Sequence, residues 1–462
     1  MSNTNKHYIE EEYATEQSRF FKRDIGFIFL YIFLVNILPI IIVFLTFGLV
    51  AIFTQQAPWD FSFPISMNIS YLLAVILSLA IFRRMHEDAF IPMIRSQIVA
   101  STKYKWHILI SFTLSIVGQS GMSYGALGKN AITALSKGLA KAGTWMNTGE
   151  GGLSEYHLKG NGDIIFQIGP GLFGVRDKEG NFSEGLFKEV AQLSNVRAFE
   201  LKLAQGAKTR GGHMEAEKVN EEIAKIRNVE PYKTINSPNR YEFIHNAEDL
   251  IRFVDQLQQL GQKPVGFKIV VSKVSEIETL VRTMVELDKY PSFITIDGGE
   301  GGTGATFQEL QDGVGLPLFT ALPIVSGMLE KYGIRDKVKL AASGKLVTPD
   351  KIAIALGLGA DFVNIARGMM ISVGCIMSQQ CHMNTCPVGV ATTDAKKEKA
   401  LIVGEKQYRV TNYVTSLHEG LFNIAAAVGV SSPTEITADH IVYRKIDGEL
   451  QTIHDYKLKL IS

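Results

Sequence analysis

The chain has 462 residues, of which 20% are charged, and a formal net charge of +1. This near-neutral balance, without a basic stripe, excludes nucleic acid as a partner. Its three cysteines, Cys375, Cys381 and Cys386, lie in one short stretch, which excludes a disulfide framework and indicates a metal site in a reducing compartment.

Two long uncharged segments near the N-terminus predict a transmembrane hairpin. They run from Ile25 to Phe53 and from Pro64 to Phe82, and a bilayer is spanned by about 20 apolar residues. Basic residues flank the outer ends of the pair and are absent between the two segments. The positive-inside rule therefore predicts a cell-membrane protein with two helices, both termini and the catalytic domain being cytoplasmic. A buried hairpin inside a soluble core is the alternative.

Beyond residue 105, short apolar strands alternate with helical stretches, which is the pattern of parallel strands joined by helices. Eight strands are predicted, and eight is the number that closes a (β/α)8 TIM barrel of about 250 residues. An open doubly wound sheet is the alternative, but no GxGxxG motif follows a first strand to support it. The predicted strands are Thr113–Gly118, Gly143–Thr148, Asp163–Ile168, Ala198–Ala204, Val265–Val270, Phe293–Asp297, Val338–Ala342 and Phe362–Ala366.

Two segments lie outside this alternation. Thr209 to Lys263 is longer than an ordinary connection and predicts an insertion that covers the site as a lid. Glu405 to Val428 has helical periodicity and predicts a C-terminal helix packed on the barrel. The predicted fold class is therefore α/β, a TIM barrel preceded by a transmembrane hairpin. The predicted divisions are a cytoplasmic tail at 1–24, the hairpin at 25–84, a linker at 85–112, the barrel at 113–394 and a C-terminal helical extension at 395–462.

The ends of the later strands carry groups that flavin mononucleotide (FMN) requires, namely backbone amides for its phosphate, room beside its ring and a cation at its pyrimidine end. The loops after the seventh and eighth strands are the usual phosphate site of this fold. Lys268 lies inside an apolar strand, where burial without an anionic partner is costly, and a lysine whose amine reaches solvent is the alternative. The candidate FMN contacts are Lys268, the loop with Gly301, Gly302 and Thr303, the loop Ser343, Gly344 and Lys345, and the loop Ala366, Arg367 and Gly368.

The cysteine stretch predicts an iron–sulfur cluster held by Cys375, Cys381 and Cys386. Soft thiolates select zinc or iron–sulfur clusters. A structural zinc site takes four ligands, and His382 is poorly placed as the fourth because it adjoins Cys381. Three thiolates followed by a proline favour a cluster.

The same stretch, from Gly374 to Thr392, resembles the cluster motif of the glutamate synthase family. Further stretches resemble the FMN-binding synthase domain of that family in the same order, so the resemblance covers roughly residues 118 to 394. It implies a cluster of three irons and four sulfides (3Fe-4S) that passes electrons to FMN, with Met122 and Ser123 by the flavin and Lys268 at its pyrimidine end. The matching stretches are Met122–Leu127, Asn147–Gly152, Leu203–Lys208 and Gly301–Ala305.

The resemblance also implies an activity. In this family reduced FMN delivers hydride to 2-iminoglutarate, formed from 2-oxoglutarate and ammonia, and the product is glutamate. A dicarboxylate substrate needs cations, and Lys202, Lys208 and Arg227 fall on matching positions. Glu150 matches a glutamate in the loop where ammonia reaches the site, and a solvated acid on a glycine-rich loop is the alternative.

Two departures from the family pattern bear on the substrate and the amine. The loop after Lys208 is one residue shorter, adds Arg210, and has His213 in place of a substrate-contacting glutamine, so the substrate is 2-oxoglutarate or a related oxo acid. Since every cysteine lies in the cluster, glutamine hydrolysis by this chain is not expected. Free ammonia, an amidotransferase partner or another amine would supply nitrogen, and a ferredoxin or a membrane donor would supply electrons.

Two other functions stay open on sequence alone. One is a flavin and iron–sulfur module that shuttles electrons between the membrane and another acceptor. The other is a flavoprotein whose reaction has no net redox change.

Overall fold

The computed structural model divides the chain into two units, Met1–Lys105 and Trp106–Ser462. It describes residues 115–206, 213–301, 314–444 and 448–461, all in the second unit. The predicted transmembrane hairpin therefore lies outside the described residues. None of the helices within the described ranges combines the length and the apolar character needed to cross a bilayer.

Eight parallel strands close into a barrel, which confirms the predicted TIM-barrel class and excludes the open sheet. The barrel strands are β1 Val117–Gln119, β2 Met146–Asn147, β3 Ile164–Ile168, β4 Val196–Lys202, β7 Val265–Ile269, β8 Phe293–Asp297, β9 Lys339–Ser343 and β10 Phe362–Ile365. Their order around the barrel is β1-β10-β9-β8-β7-β4-β3-β2. The last strand, β10, pairs with β1 through Val117 opposite Val363 and Gly118 opposite Asn364, so no edge of the barrel is left open.

Helices cover the outside of the barrel, and their ends follow local rules. The longest connecting helix begins after Asn246, whose side chain accepts a hydrogen bond from Asp249 N at 2.9 Å, and ends at Gln262 with a left-handed φ of 50°. The helices that follow barrel strands are α1 Lys129–Lys141, α2 Glu155–Leu158, α3 Glu184–Gln192, α4 Glu221–Arg227, α5 Ala247–Gly261, α6 Val274–Leu287, α7 Leu318–Lys331, α8 Pro349–Gly357 and α9 Arg367–Ser372.

The long segment between β4 and β7 carries an insertion, as predicted. Within its described part it forms a small antiparallel pair, β5 His213–Met214 with β6 Ile235–Asn236, and the helix α4. The helix α5 then makes the ordinary return to β7. His213 and Arg227 of this insertion line the cavity at the barrel mouth, which places the insertion over the site.

The C-terminal extension packs back on the barrel, as predicted. After the short helix α10 Ala395–Glu398, the helix α11 Val403–Ala427 lies against α1, where Thr411 Oγ1 donates to Gly138 O at 3.0 Å. The extension is not wholly helical, however, because Val442–Arg444 (β11) pairs antiparallel with Leu450–Thr452 (β12) before the last helix, α12 Ile453–Ile461.

Aromatic side chains fill the amino-terminal end of the barrel interior. Trp145 packs edge-to-face on Phe362 at 5.5 Å between ring centroids, and Phe362 packs on Phe293 at 6.0 Å. Gly118 makes room for this layer, because a Cβ there would lie 2.0 Å from Trp145 Cε2. A packed floor at this end leaves the carboxyl ends of the strands as the open end of the barrel.

Replacing Gly118 with alanine is expected to lower the free energy of unfolding by about 1–3 kcal/mol, since the added carbon would overlap the Trp145 indole and force it to move. Urea unfolding of the full-length protein measures it. Gly404→Ala is the matched control, because its Cβ would meet nothing within 4 Å in the first turn of α11 and should change the free energy by less than about 1 kcal/mol. Equal effects in the two variants would contradict the packed floor.

Candidate functional site

A cavity of about 290 Å³ opens at the carboxyl ends of the barrel strands. This is where barrels of this class gather their chemistry. Lys208, Gly302 and Thr303 lie outside the described residues, and Gly368 and Cys386 do not line the cavity. The predicted site residues that line it are Met122, Ser123, Glu150, Lys202, His213, Arg227, Lys268, Gly301, Ser343, Gly344, Lys345, Ala366, Arg367, Cys375 and Cys381.

Positive charge predominates among the described residues of the cavity wall. Six side chains are lysine or arginine and three are carboxylates. Such an excess in a concave site favours an anionic ligand. The cations are Lys202, Lys218, Arg227, Lys268, Lys345 and Arg367, and the carboxylates are Glu150, Asp297 and Glu300.

Lys268 is buried and paired, so the alternative of an amine that reaches solvent is wrong. It is 4% exposed, and its Nζ lies 3.5 Å from Asp297 Oδ2 at the end of the neighbouring strand β8. The same carboxylate oxygen accepts a hydrogen bond from Gly206 N at 3.0 Å. The lysine is therefore held in place at the mouth of the barrel, with its charge available to a ligand in the cavity.

Glu150 is also paired rather than freely solvated. Its Oε1 lies 3.1 Å from Lys202 Nζ, and the two side chains are 16% and 9% exposed. Lys202 ends strand β4, whereas Glu150 lies in the loop after β2, so the pair joins two parts of the cavity wall. Tyr241 lies nearby; burial and the charge of Glu150 raise the pKa of its hydroxyl, which donates to Ile168 O at 2.5 Å.

Arg227 ends helix α4 and is buried at the edge of the cavity. Its Nη2 donates to Tyr124 O at 3.2 Å, and its guanidinium lies 5.1 Å from the centroid of the Phe173 ring. Within the described ranges, its buried Nε has no hydrogen-bond partner. Burial lowers the pKa of Arg227 to about 10, against the opposing charge of Glu150, so the group stays a cation at neutral pH.

His213 lies at the rim of the cavity on β5. Its Nδ1 lies 2.7 Å from Asn236 Oδ1, and its Nε2 lies 3.0 Å from Glu215 Oε1. Both ring nitrogens therefore have partners inside the insertion, which fixes the plane of the imidazole. The predicted contact between His213 and a substrate stays a prediction.

The two predicted phosphate loops lie side by side after β9 and β10. Lys345 has a left-handed φ of 48° and Gly344 a φ of 156°, which turns this loop sharply at the cavity wall. Sequence reasoning missed Glu300, whose carboxylate accepts from Leu318 N at 3.0 Å at the start of α7 and whose pKa is raised, chiefly by burial. Gly368 faces away from the cavity, because a Cβ there would lie 2.0 Å from Tyr413 Oη of α11.

The loop that carries the three cysteines follows α9 and forms one wall of the cavity. Its non-glycine residues Met377, Gln379 and Asn384 have φ angles of 56°, 57° and 57°, an uncommon conformation that persists only where the surroundings impose it. Cys375 Sγ accepts a hydrogen bond from Met377 N at 3.4 Å. Among the described residues, no group of three His, Cys, Asp or Glu side chains is arranged to hold a metal ion.

Lys218 is a site residue that sequence reasoning missed. It is 1% exposed, and its Nζ donates to Cys381 O at 2.8 Å, Ala126 O at 3.2 Å and Ala391 O at 3.4 Å. Burial lowers the pKa of Lys218 to about 8. The lysine ties the cysteine loop to the loop after β1, so a positive charge is buried beside the cysteines.

His157 is buried behind Met122, on the same side of the site. Its lowered pKa leads us to expect that the stability of the protein depends on pH. Its Nε2 lies 3.4 Å from Met122 O, its Nδ1 accepts from Ser154 N at 3.1 Å, and burial lowers its pKa from 6.5 to about 4. Above pH 6.5 the ring is neutral in both the folded and the unfolded chain, so stability is unaffected there. Between pH 6.5 and about 4 only the unfolded chain binds the proton, so this group should remove roughly 3 kcal/mol of unfolding free energy.

Urea unfolding at pH 7, 5.5 and 4.5 measures this loss. The variant His157→Asn should be less stable at pH 7 but show a shallower fall with acidity. His245→Asn, at an exposed histidine, should follow the natural chain at every pH. A slope unchanged by His157→Asn would contradict the interpretation.

Comparison with solved structures finds slight likenesses. A mutant flavocytochrome b2 with benzoylformate is 15% identical, covers 70% of this chain and 68% of its own, and gives a TM-score of 0.44. A lactate oxidase of Pediococcus acidilactici is 14% identical, covers 73% of this chain and 76% of its own, and gives a TM-score of 0.42. At these scores the likenesses bear on no conclusion about function.

Comparison by sequence is more informative. The chain is 60% identical over 352 residues to the glutamate synthase large subunit-like protein YerD of Bacillus subtilis (strain 168), covering 76% of this chain and 67% of the relative. It is 31% identical over 346 residues to the archaeal-type glutamate synthase (NADPH) of Thermotoga maritima, covering 74% and 64%. The glutamate synthase (NADPH) large chain of Azospirillum brasilense is 34% identical over 348 residues, which cover 73% of this chain and 22% of that one.

The chain thus spans about two thirds or less of the length of these relatives. Residues 89–431 match the family described as "Conserved region in glutamate synthase", and this match contains the whole barrel and the cysteine loop. The chain therefore belongs to the glutamate synthase family of oxidoreductases.

Proposed function

We propose that this chain is an FMN- and iron–sulfur-dependent oxidoreductase that reductively aminates 2-oxoglutarate or a related oxo acid. The observation that carries the proposal is that one cavity is lined both by the cationic strand ends and by Cys375 and Cys381. A flavin in that cavity would lie against the cysteine loop, so electrons could pass between the two cofactors over a short path. Family membership supports the same assignment.

The residues of the cavity fit FMN in three respects. Ser343, Gly344 and Lys345 after β9, with Arg367 after β10, offer amides and cations to a phosphate. Gly121 makes room for the polar side chain of Gln167 in the cavity wall, because a Cβ there would lie 2.8 Å from Gln167 Oε1. When bound, FMN supplies hydride, and the positive charge of Lys268 stabilises the reduced ring.

The cysteine loop fits an iron–sulfur cluster by its chemistry. It offers three thiols, a backbone amide already donating to Cys375 Sγ, and the buried ammonium group of Lys218, which donates to Cys381 O at 2.8 Å. Hydrogen bonds and nearby charge are the features that stabilise and tune bound clusters. The outer side of the loop is accessible, since Ile376 and Met377 are 61% and 55% exposed. That exposed side would receive a ferredoxin-like electron donor.

The remaining polar residues define the substrate side of the proposed reaction. Arg227 and Lys202 would bind the two carboxylates of a dicarboxylic oxo acid, because both are cations that line the cavity. Glu150, held by Lys202, would accept hydrogen bonds from ammonia or from the new amine. Ammonia would be free or delivered by an amidotransferase partner.

Anaerobic purification followed by visible and paramagnetic spectroscopy tests the cofactors. Protein given a chemical reductant, ammonia and 2-oxoglutarate should then form glutamate, and ferredoxin and NADPH can be compared as donors. Absence of FMN would refute the proposal. Protein that holds both cofactors but forms no glutamate would refute 2-oxoglutarate as the substrate. That result would favour the alternative function, a module that transfers electrons to another acceptor.

We also propose that the uncharged segments at Ile25–Phe53 and Pro64–Phe82 anchor the chain in the cell membrane, with the barrel on the cytoplasmic side. The support is their length and the placement of basic residues at their outer flanks. Full-length protein should sediment with membranes and resist extraction by alkaline carbonate. Release of the intact chain by carbonate would contradict the anchor.

A further inference from the structure

A carboxylate is buried in the barrel interior, beyond the residues that touch the cavity. Glu200 on β4 is 1% exposed, and its two oxygens accept three side-chain hydrogen bonds. Asn147 Nδ2 at 2.9 Å and Gln167 Nε2 at 2.6 Å donate to Oε1, and Thr295 Oγ1 at 2.5 Å donates to Oε2. Both oxygens of this carboxylate therefore accept hydrogen bonds from side chains of neighbouring strands.

The contact with Glu200 fixes the direction of the Gln167 amide. Oε1 of Glu200 accepts from Gln167 Nε2, so Gln167 turns its NH2 group toward Glu200 and its oxygen away from it. Gln167 lines the cavity, and its amide packs on Gly121, another lining residue, with Oε1 at 2.8 Å and Nε2 at 2.9 Å from the place of a Cβ there. Because Nε2 donates to Glu200, Oε1 is the atom that the inner end of the cavity offers as an acceptor to a ligand N–H group.

The order of the strands indicates which end of FMN reaches Gln167. Around the barrel, β9 lies opposite β3, and β10 lies opposite β4. A cofactor whose phosphate binds at the loops after β9 and β10 therefore extends its ring across the barrel mouth toward Gln167 and Lys268. The pyrimidine end of that ring carries one N–H, at N3, between two carbonyl groups. The Gln167 oxygen can accept the N3–H, and the Lys268 cation can interact with a neighbouring carbonyl group, so the two side chains complement this end of the ring.

We propose that Glu200 is a positioning residue for the cofactor. It touches neither FMN nor substrate, but it holds Gln167 with Oε1 toward the cavity, where that oxygen accepts the flavin N3–H. The inference rests on the proposed FMN binding. If Glu200 orients Gln167, then Glu200 determines how strongly the site prefers a flavin with an N3–H over one without it. A residue that only stabilised the fold would not affect this preference.

Binding of FMN and of its N3-methyl analogue tests the proposal, measured by fluorescence on the full-length protein after removal of flavin. The natural protein should bind FMN at least about 10-fold more tightly than the analogue, because the analogue lacks the N–H and leaves a buried acceptor unpaired. Glu200→Met removes the acceptor that orients Gln167, so the amide can turn and the preference should fall about 10-fold. Both ligands are measured on each variant, so a general loss of stability cancels in the ratio.

The conservative variant Glu200→Gln should restore the preference. Its carbonyl can accept from Asn147 and Gln167, and its NH2 can donate to the Thr295 hydroxyl, which accepts as well as donates. The matched control is Thr295→Val, which removes one donor to the same carboxylate without touching Gln167 and should keep the natural preference.

Retention of the preference in Glu200→Met would overturn the proposal. Loss of the preference in Glu200→Gln would also overturn the proposal. This second variant tests the proposal even if Glu200→Met does not fold. Failure of the natural protein to bind FMN at all would instead refute the proposed function on which the inference rests.

Discussion

Replacing Lys268 with methionine is expected to abolish most FMN-dependent turnover, by about 100-fold or more, and to destabilise the fold. The variant removes the cation beside the flavin ring, where negative charge develops on reduction. It also leaves Asp297, whose side chain is 6% exposed, as an uncompensated buried charge, which costs about 3–5 kcal/mol. Anaerobic reduction of bound FMN and urea unfolding measure the two effects separately.

The double variant Lys268→Met with Asp297→Asn separates charge from stability. It removes both charges, so the free energy of unfolding should recover while turnover does not. Lys339→Met is the matched control, because Lys339 on β9 pairs with Asp361 at 3.1 Å but is 58% exposed, and such surface pairs contribute less than about 1 kcal/mol. Turnover at the natural rate in the double variant would show that Lys268 acts only through its ion pair.

The fold was largely predictable because buried parallel strands are short apolar runs that end in small or polar residues. β8 has the predicted bounds, Phe293–Asp297, and β7 differs by one residue at its end. The first strand shows what sequence alone lacked. It was predicted at Thr113–Gly118, but its ladder with β10 runs from Val117 to Gln119, because register depends on partners distant in the chain.

The candidate site was predictable where a residue is unusual for its local context. Lys268 was found because a lysine interrupts an apolar strand, and Glu200 carries the same signal within Val196–Lys202, where it shares the inward face with Lys202. Lys218 carries no such signal, since it lies in a charged stretch that looks solvent-exposed. Only the fold shows that this lysine is buried against the cysteine loop.

The partners of the site residues were not predictable, because they come from distant parts of the chain. Glu150 pairs with Lys202. Asp297, which pairs with Lys268, also accepts a hydrogen bond from Gly206 N. These contacts depend on how neighbouring strands and loops meet at the barrel mouth. They also determine which positive charges at the cavity can contact a ligand. Among these cations, Arg227 allows the most specific prediction about substrate binding.

Replacing Arg227 with methionine is expected to raise the KM for the oxo acid by about 100-fold, with a smaller effect on kcat. A buried cation that binds a carboxylate contributes about 1.5–3 kcal/mol through charge-assisted hydrogen bonds, and Arg227 is 5% exposed on the cavity wall. Arg227→Lys should recover little, because the ammonium lacks the planar fork that binds a carboxylate through two hydrogen bonds. Initial rates over a range of 2-oxoglutarate concentrations, with saturating reductant and ammonia, give both constants.

Arg176 offers a closely matched control for this arginine. Its guanidinium lies 5.8 Å from the same Phe173 ring, its Nε is likewise buried with no hydrogen-bond partner among the described residues, and its Nη1 donates to Gly171 O at 3.3 Å. It does not line the cavity. Arg176→Met should therefore remove a similar contact with the Phe173 ring. It should leave the KM within about 2-fold of the natural value, a smaller change than the loss of one charge-assisted hydrogen bond would cause. An equal rise of KM in both variants would mean that Arg227 acts by packing on Phe173 rather than by binding the substrate carboxylate.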